Sequence, residues 1–154
     1  MKHLLLAPLI LGLIEPLQAR PYGVKPDLKV GECITATVQS LHTTWYEPKH
    51  DRRAIIALSY NAKFSNLGLY LGDDFEEYKR RRWDYIDTSR AIDIEDARKM
   101  YKPNDRIKLC LKFVPVECRK FKEQDVRGEI YSITKRGTNK THYGRHGKNT
   151  CGGA

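Results

Sequence analysis

Between residues 30 and 41 the chain reads VGECITATVQSL. Val30, Ile34, Ala36 and Val38 fall on one face of an extended chain, and Cys33, Thr35, Thr37 and Gln39 fall on the other. Alternation of this kind, rich in threonine and valine, predicts a half-buried strand. After a polar loop over 42–53, AIIALSYN (54–61) predicts a more apolar strand, and LGLYLG (67–72) a third, with Gly68 and Gly72 as weak points or bulges. From Ile107 the alternation returns: Ile107, Leu109, Leu111 and Phe113 face one way, Lys108, Cys110 and Lys112 the other, until Pro115 breaks the ladder. GEIYSITK (128–135) predicts a last strand in which Ile130 packs, with Tyr131 as a second candidate.

Between the third and fourth strands the pattern shifts to helical spacing. In DDFEEYKRRRW (73–83), Asp73 or Asp74 can cap a helix, acids fill its first turn and bases its last, as the macrodipole favours. A second short helix over 94–101 has Asp93 as its N-cap and ends before Lys102-Pro103. Three strands, a helical insertion and two strands make the chain order of a mainly β domain: a five-stranded Greek-key barrel of the oligonucleotide/oligosaccharide-binding (OB) type. Two stretches also resemble strands of S1-type OB domains: VGECITATVQSL the first strand, and YKPNDRIKLCLKF (101–113) the fourth, with Asn104 where that family favours glycine. The resemblance covers about 25 residues. It implies a fold and no function, because a fold hosts many activities.

The N-terminus decides the expected compartment. Lys2 and His3 precede an apolar run from Leu4 to Ile14, which Glu15-Pro16 ends before Leu17-Gln18-Ala19. This is the layout of a secretory signal cleaved after Ala19. The apolar run would rise about 16 Å as a helix, short of a bilayer core of roughly 30 Å. No later segment is apolar enough to span, so the mature chain is expected to be secreted or periplasmic, with no transmembrane helix. The chain then divides into a signal (1–19), an extended lead-in (20–29), the barrel domain (30–135) and a flexible, basic, glycine-rich tail (136–154). Its 154 residues fit one domain.

In an exported chain, an even number of cysteines reads as disulfides. The four here are Cys33, Cys110, Cys118 and Cys151, and four thiols allow three connectivities. Cys33 and Cys110 both sit on the polar faces of their strands. If those strands are neighbours the two can bridge on the outside of the barrel, so this pairing is preferred. No CxxC motif supports a zinc or redox centre.

Charge then narrows the chemistry. Lys and Arg total 28 against 19 Asp and Glu, a net +9. OB barrels bind ligands across strands 2 and 3, between the loop joining strands 1 and 2 and the loop joining strands 4 and 5. The first loop carries Trp45, Tyr46, His50, Arg52 and Arg53, the second Arg119, Lys120, Lys122 and Arg127, and Lys63 lies past the second strand with Tyr60 and Phe64. Aromatic rings beside cations suit a polyanion, either single-stranded nucleic acid or acidic glycan, or an acidic partner protein. The main expectation is therefore a non-catalytic binding module needing no cofactor and no metal. The alternatives are a small secreted metal-dependent hydrolase of nuclease-like type using Asp73, Asp74, Glu76, Glu77 or His50, and a structural subunit of an envelope complex. HExxH, GxSxG, Walker and EF-hand motifs are absent, and the glycines around His142 and His146 argue against a helical ligand pair.

Overall fold

The computed structural model describes residues 26–43, 52–60, 66–80, 91–116 and 128–147. In chain order these form β1 (Cys33–His42), β2 (Ile55–Ser59), β3 (Asn66–Gly72), α1 (Phe75–Arg80), α2 (Ile94–Met100), β4 (Arg106–Phe113), β5 (Ile130–Lys135) and β6 (Thr141–Arg145). The strands close a barrel in the order β1-β2-β3-β6-β5-β4, and β4 returns to pair with β1. The run β4-β1-β2-β3 is a Greek key. The mainly β class, the barrel and the helical insertion between the third and fourth strands all follow the sequence pattern.

The ring has six strands rather than five. Residues 141–145, expected as part of a flexible tail, form β6 between β3 and β5, so the barrel extends past Lys135 to Arg145. Strand direction explains why the sixth is needed. Every neighbouring pair in the ring is antiparallel, and directions can alternate all the way round only an even number of strands. With five in this order, β3 and β5 would meet running the same way. β6 lies between them, antiparallel to both.

Inward side chains fill the barrel. Ala36 and Val38 of β1, Ile56 and Leu58 of β2, Leu67, Leu69 and Leu71 of β3, Ile107, Leu109 and Leu111 of β4, and Tyr131 and Ile133 of β5 are all buried in one cluster. Val30, read with the inward set, lies before the strand and is exposed. Two register shifts, between Val38 and Ser40 and between Leu111 and Phe113, bend the strands as bulges do. The second releases Phe113 from the interior into a smaller outer cluster with Ile130, Tyr70, Phe75 and Tyr143. There Phe75 of α1 packs on Tyr143 with ring centroids 5.4 Å apart.

α2 begins at Asp93, whose carboxylate accepts the Glu95 N–H at 2.8 Å, and places Ile94 and Ala97 in the core with Tyr101 following. The turn after it runs Lys102-Pro103-Asn104-Asp105, with Asn104 at φ 72. That left-handed conformation suits glycine or asparagine, which is why asparagine can stand here.

Candidate functional site

Of the loop residues expected to bind a ligand, Trp45, Tyr46, His50, Lys63, Arg119, Lys120, Lys122 and Arg127 lie outside the described residues, as do Phe64, Cys118 and Cys151. Arg52 and Arg53 are described, and both serve the fold. The strip before β2 pairs with the strip before α2 through the Arg53–Asp93 bridge and the Ala54 N–H to Ile92 carbonyl bond of 2.9 Å. Arg52 stays exposed but grips Asp93 with two bonds, Nε to Oδ2 at 2.6 Å and a terminal nitrogen to Oδ1 at 3.1 Å. The Arg52 hydrogen bond, with that of the Glu95 amide, holds the Asp93 carboxyl below the usual carboxylate range. Arg53 is buried against the sheet, with its guanidinium carbon 5.7 Å from the Tyr70 ring centroid. Tyr60 is half-buried against the core.

The carboxylates considered for a hydrolytic site gather at the start of α1. Asp73 and Glu76 are exposed and Asp74 is half-buried. The Glu77 side chain and His50 lie outside the described residues. Among the described residues no group of three or more His, Cys, Asp or Glu side chains could hold a metal ion.

Two buried polar pairs inside the barrel escaped the sequence pattern. The Tyr101 hydroxyl and His142 Nδ1 are 2.6 Å apart, with both residues buried. Burial raises the Tyr101 phenol, and burial with Lys140 nearby lowers the His142 imidazole, while Asp73 pulls His142 the other way. Both groups are therefore neutral at physiological pH, and the phenol can donate to the ring nitrogen. Farther along the interior, the Tyr131 hydroxyl donates to Glu129 Oε2 at 2.7 Å. Burial, then the Glu129 charge, raises the Tyr131 phenol. Both pairs are closed to solvent, with the four side chains at most 4% exposed. They complete a core rather than open a reaction site.

The accessible chemistry lies on the outer wall. Cys33 and Cys110 are direct partners across the β1–β4 ladder and form a disulfide, with Cα atoms 4.0 Å apart. This is the preferred pairing of the four cysteines, and it sits outside the barrel because both residues belong to the outward set. Along β4 the same outward row holds Arg106, Lys108 and Lys112, all exposed. Across from it on β1, Thr37 faces Arg106 and Thr35 faces Lys108. On the other side Thr134 faces Lys108 and hydrogen-bonds Thr141 at 2.9 Å. Arg136 and Lys140 are exposed in the β5–β6 turn.

The outward positions of β1, β4 and β5 hold no acid. Elsewhere Asp93 is engaged by Arg52, Glu95 by Arg98, Asp96 by Lys99, Asp105 by Lys135 and Glu129 by Tyr131, whereas Asp27, Glu32 and Asp73 are exposed off the wall strands. Arg106, Lys108, Lys112, Arg136 and Lys140 have no carboxylate partner among the described residues. The alternation of lysine with leucine in KLCLK (108–112) carries the signal for this wall, visible once β4 is known to lie beside the threonines of β1. No helix among the described residues is long and apolar enough to cross a membrane. No family model, no curated protein and no solved structure matches this chain.

Proposed function

We propose that the protein is an exported, non-catalytic binding module for a polyanion. The observation that carries this reading is the distribution of charge on the barrel: the outward positions of β1, β4 and β5 hold no acid, while five cations on or beside that wall lack carboxylate partners among the described residues. Such a surface raises the local concentration of an anionic ligand and steers its approach. The net charge of +9 supports the same reading for the whole chain, and the basic loops bearing His50, Lys63, Arg119, Lys120, Lys122 and Arg127, with Trp45 and Tyr46, would add to the attraction. Export is supported by the N-terminal pattern and by the Cys33–Cys110 disulfide, since such bonds persist in oxidising compartments.

The test is a salt titration of binding to immobilised heparin and to a single-stranded oligonucleotide. Each neutralised phosphate on a single strand contributes a log–log slope of about −0.7, so three to five engaged cations give a slope of about −2 to −3.5. Absence of binding at low salt, or binding indifferent to salt, would remove the proposal.

A further inference from the structure

We infer that the ligand is a linear acidic glycan, sulfated or uronate-bearing, lying along the outer wall of β1 and β4 across the disulfide. The inference rests on the polyanion reading and adds both the place and the class of ligand. Arg106, Lys108 and Lys112 project from one row along β4, with outward positions about 6.6 Å apart where the ladder is regular and Lys112 at the register shift between Leu111 and Phe113. At the one outward position between Lys108 and Lys112 stands Cys110, joined to Cys33. The compact bridge leaves no side chain tall enough to lift a bound chain off the cations. It also ties β1 to β4, so the row and the flanking threonines keep their spacing before any ligand arrives, which lowers the ordering cost of binding.

The neighbours of the row select the class of polymer. Thr35 and Thr37 on one side and Thr134 on the other supply hydroxyls, which can exchange hydrogen bonds with sugar hydroxyls and accompany the charge-assisted bonds from Lys and Arg to sulfate or carboxylate. No aromatic side chain occupies an outward position of β1 or β4 from Cys33 to Thr37 and from Arg106 to Lys112, or stands at Ser132 or Thr134. Single-stranded nucleic acid takes about 1–3 kcal/mol per base from stacking on such rings, and this wall offers none. Tyr143, the nearest outward ring on β6, is packed against Phe75.

The experiment uses the purified, disulfide-bonded protein and two triple variants. Arg106→Gln/Lys108→Gln/Lys112→Gln strips the wall; Arg98→Gln/Lys99→Gln/Lys102→Gln strips α2 and its turn, where Arg98 and Lys99 already pair with Glu95 and Asp96. Binding of a heparin octasaccharide and of an oligonucleotide of matched charge is measured at fixed salt, with circular dichroism and a free-thiol assay reporting the fold. The expected result is a heparin affinity lower by on the order of 100-fold in the wall variant at 0.1 M salt, which the loss of three counterion-releasing contacts implies. The α2 variant should stay within about twofold, and the oligonucleotide should bind the native protein more weakly than heparin.

A folded wall variant that binds heparin as well as the native protein overturns the inference and moves binding to the loops, leaving the polyanion reading standing. Tighter binding of the oligonucleotide overturns the choice of glycan. Failure of the native protein to bind either probe at low salt removes the underlying reading as well.

Discussion

The two halves of the barrel are three-stranded meanders built by different means. β1, β2 and β3 line the interior with aliphatic side chains alone, from Ala36 to Leu71. β4, β5 and β6 begin the same way at Ile107, Leu109 and Leu111, then turn to Tyr131 and Ile133, and end in His142 and Gly144. The first half is specified by repeated apolar contact, which tolerates small errors in any one side chain. The second half ends in a strand whose inward positions are a hydrogen-bonded histidine and a glycine with no side chain to pack. The seams between the halves differ in the same sense. β1 and β4 pair over Cys33 to Thr37 and are joined by sulfur, whereas β3 and β6 pair only over Tyr70 to Gly72.

The largest effect is expected at the covalent seam. The disulfide spans 77 residues of sequence, and closing a loop of that length removes about 4.5 kcal/mol of unfolded-state freedom in the chain-entropy account. Cys33→Ser/Cys110→Ser should lower the free energy of unfolding in denaturant by roughly that amount, and reducing the native protein should do the same. A loss under about 1 kcal/mol would mean that the seam is held by its ladder and not by the crosslink.

The second seam should respond to crowding rather than cutting. A Cβ at Gly144 would lie 2.8 Å from Leu69 Cβ and 2.8 Å from Ile133 Cδ1, so β6 can approach β3 only because that atom is missing. Gly144→Val is expected to cost about 1–3 kcal/mol by overpacking. Gly68 in the first half offers the contrast, since its Cβ would meet only Ile55 Cγ2 at 3.7 Å, an ordinary contact. Gly68→Ala should leave the free energy of unfolding within about 0.5 kcal/mol of the native value. Equal losses at both positions would erase the distinction between the seams.

That distinction also accounts for what could be read in the sequence. Strands β1 to β4 were legible because their apolar positions alternate, and the facing of Cys33 and Cys110 followed from the same alternation. Asp93 was legible as a cap because an acid stood one residue before a helical stripe. THYGR (141–145) carries no aliphatic residue, so no periodicity marks it as a strand. Its inward positions are a histidine satisfied by Tyr101, 41 residues away, and a glycine fitted to Leu69, and such long-range partners leave no local trace. The fold contacts of Arg52 and Arg53 left no local trace for a related reason: in a loop of arginines, lysine and histidine nothing nearby points to them. Their partners, Asp93 and Tyr70, stand on other elements.

A pH dependence is expected from one buried or half-buried histidine in each half, His142 in β6 and His42 in β1. His142 is held below its ordinary pKa of 6.5, first by burial and then by Lys140, and burial also lowers the half-exposed His42. In the unfolded chain both imidazoles protonate near 6.5, whereas in the folded chain they do so only at lower pH. Below 6.5 the unfolded state therefore binds more protons, and stability falls as pH falls, levelling out once the folded-state values are passed. The slope is at most about 1.4 kcal/mol per pH unit for each histidine. Unfolding free energies should be flat from pH 8 to about 7 and decline towards pH 5, ahead of any carboxylate titration, because the Asp93 shift acts only below the ordinary Asp range. Replacing His142 by leucine should remove its share of this decline and leave the His42 share, and a matching change at His42 should do the converse. A decline that survives His142→Leu in full would show that the buried imidazole is not what makes the second meander sensitive to acid.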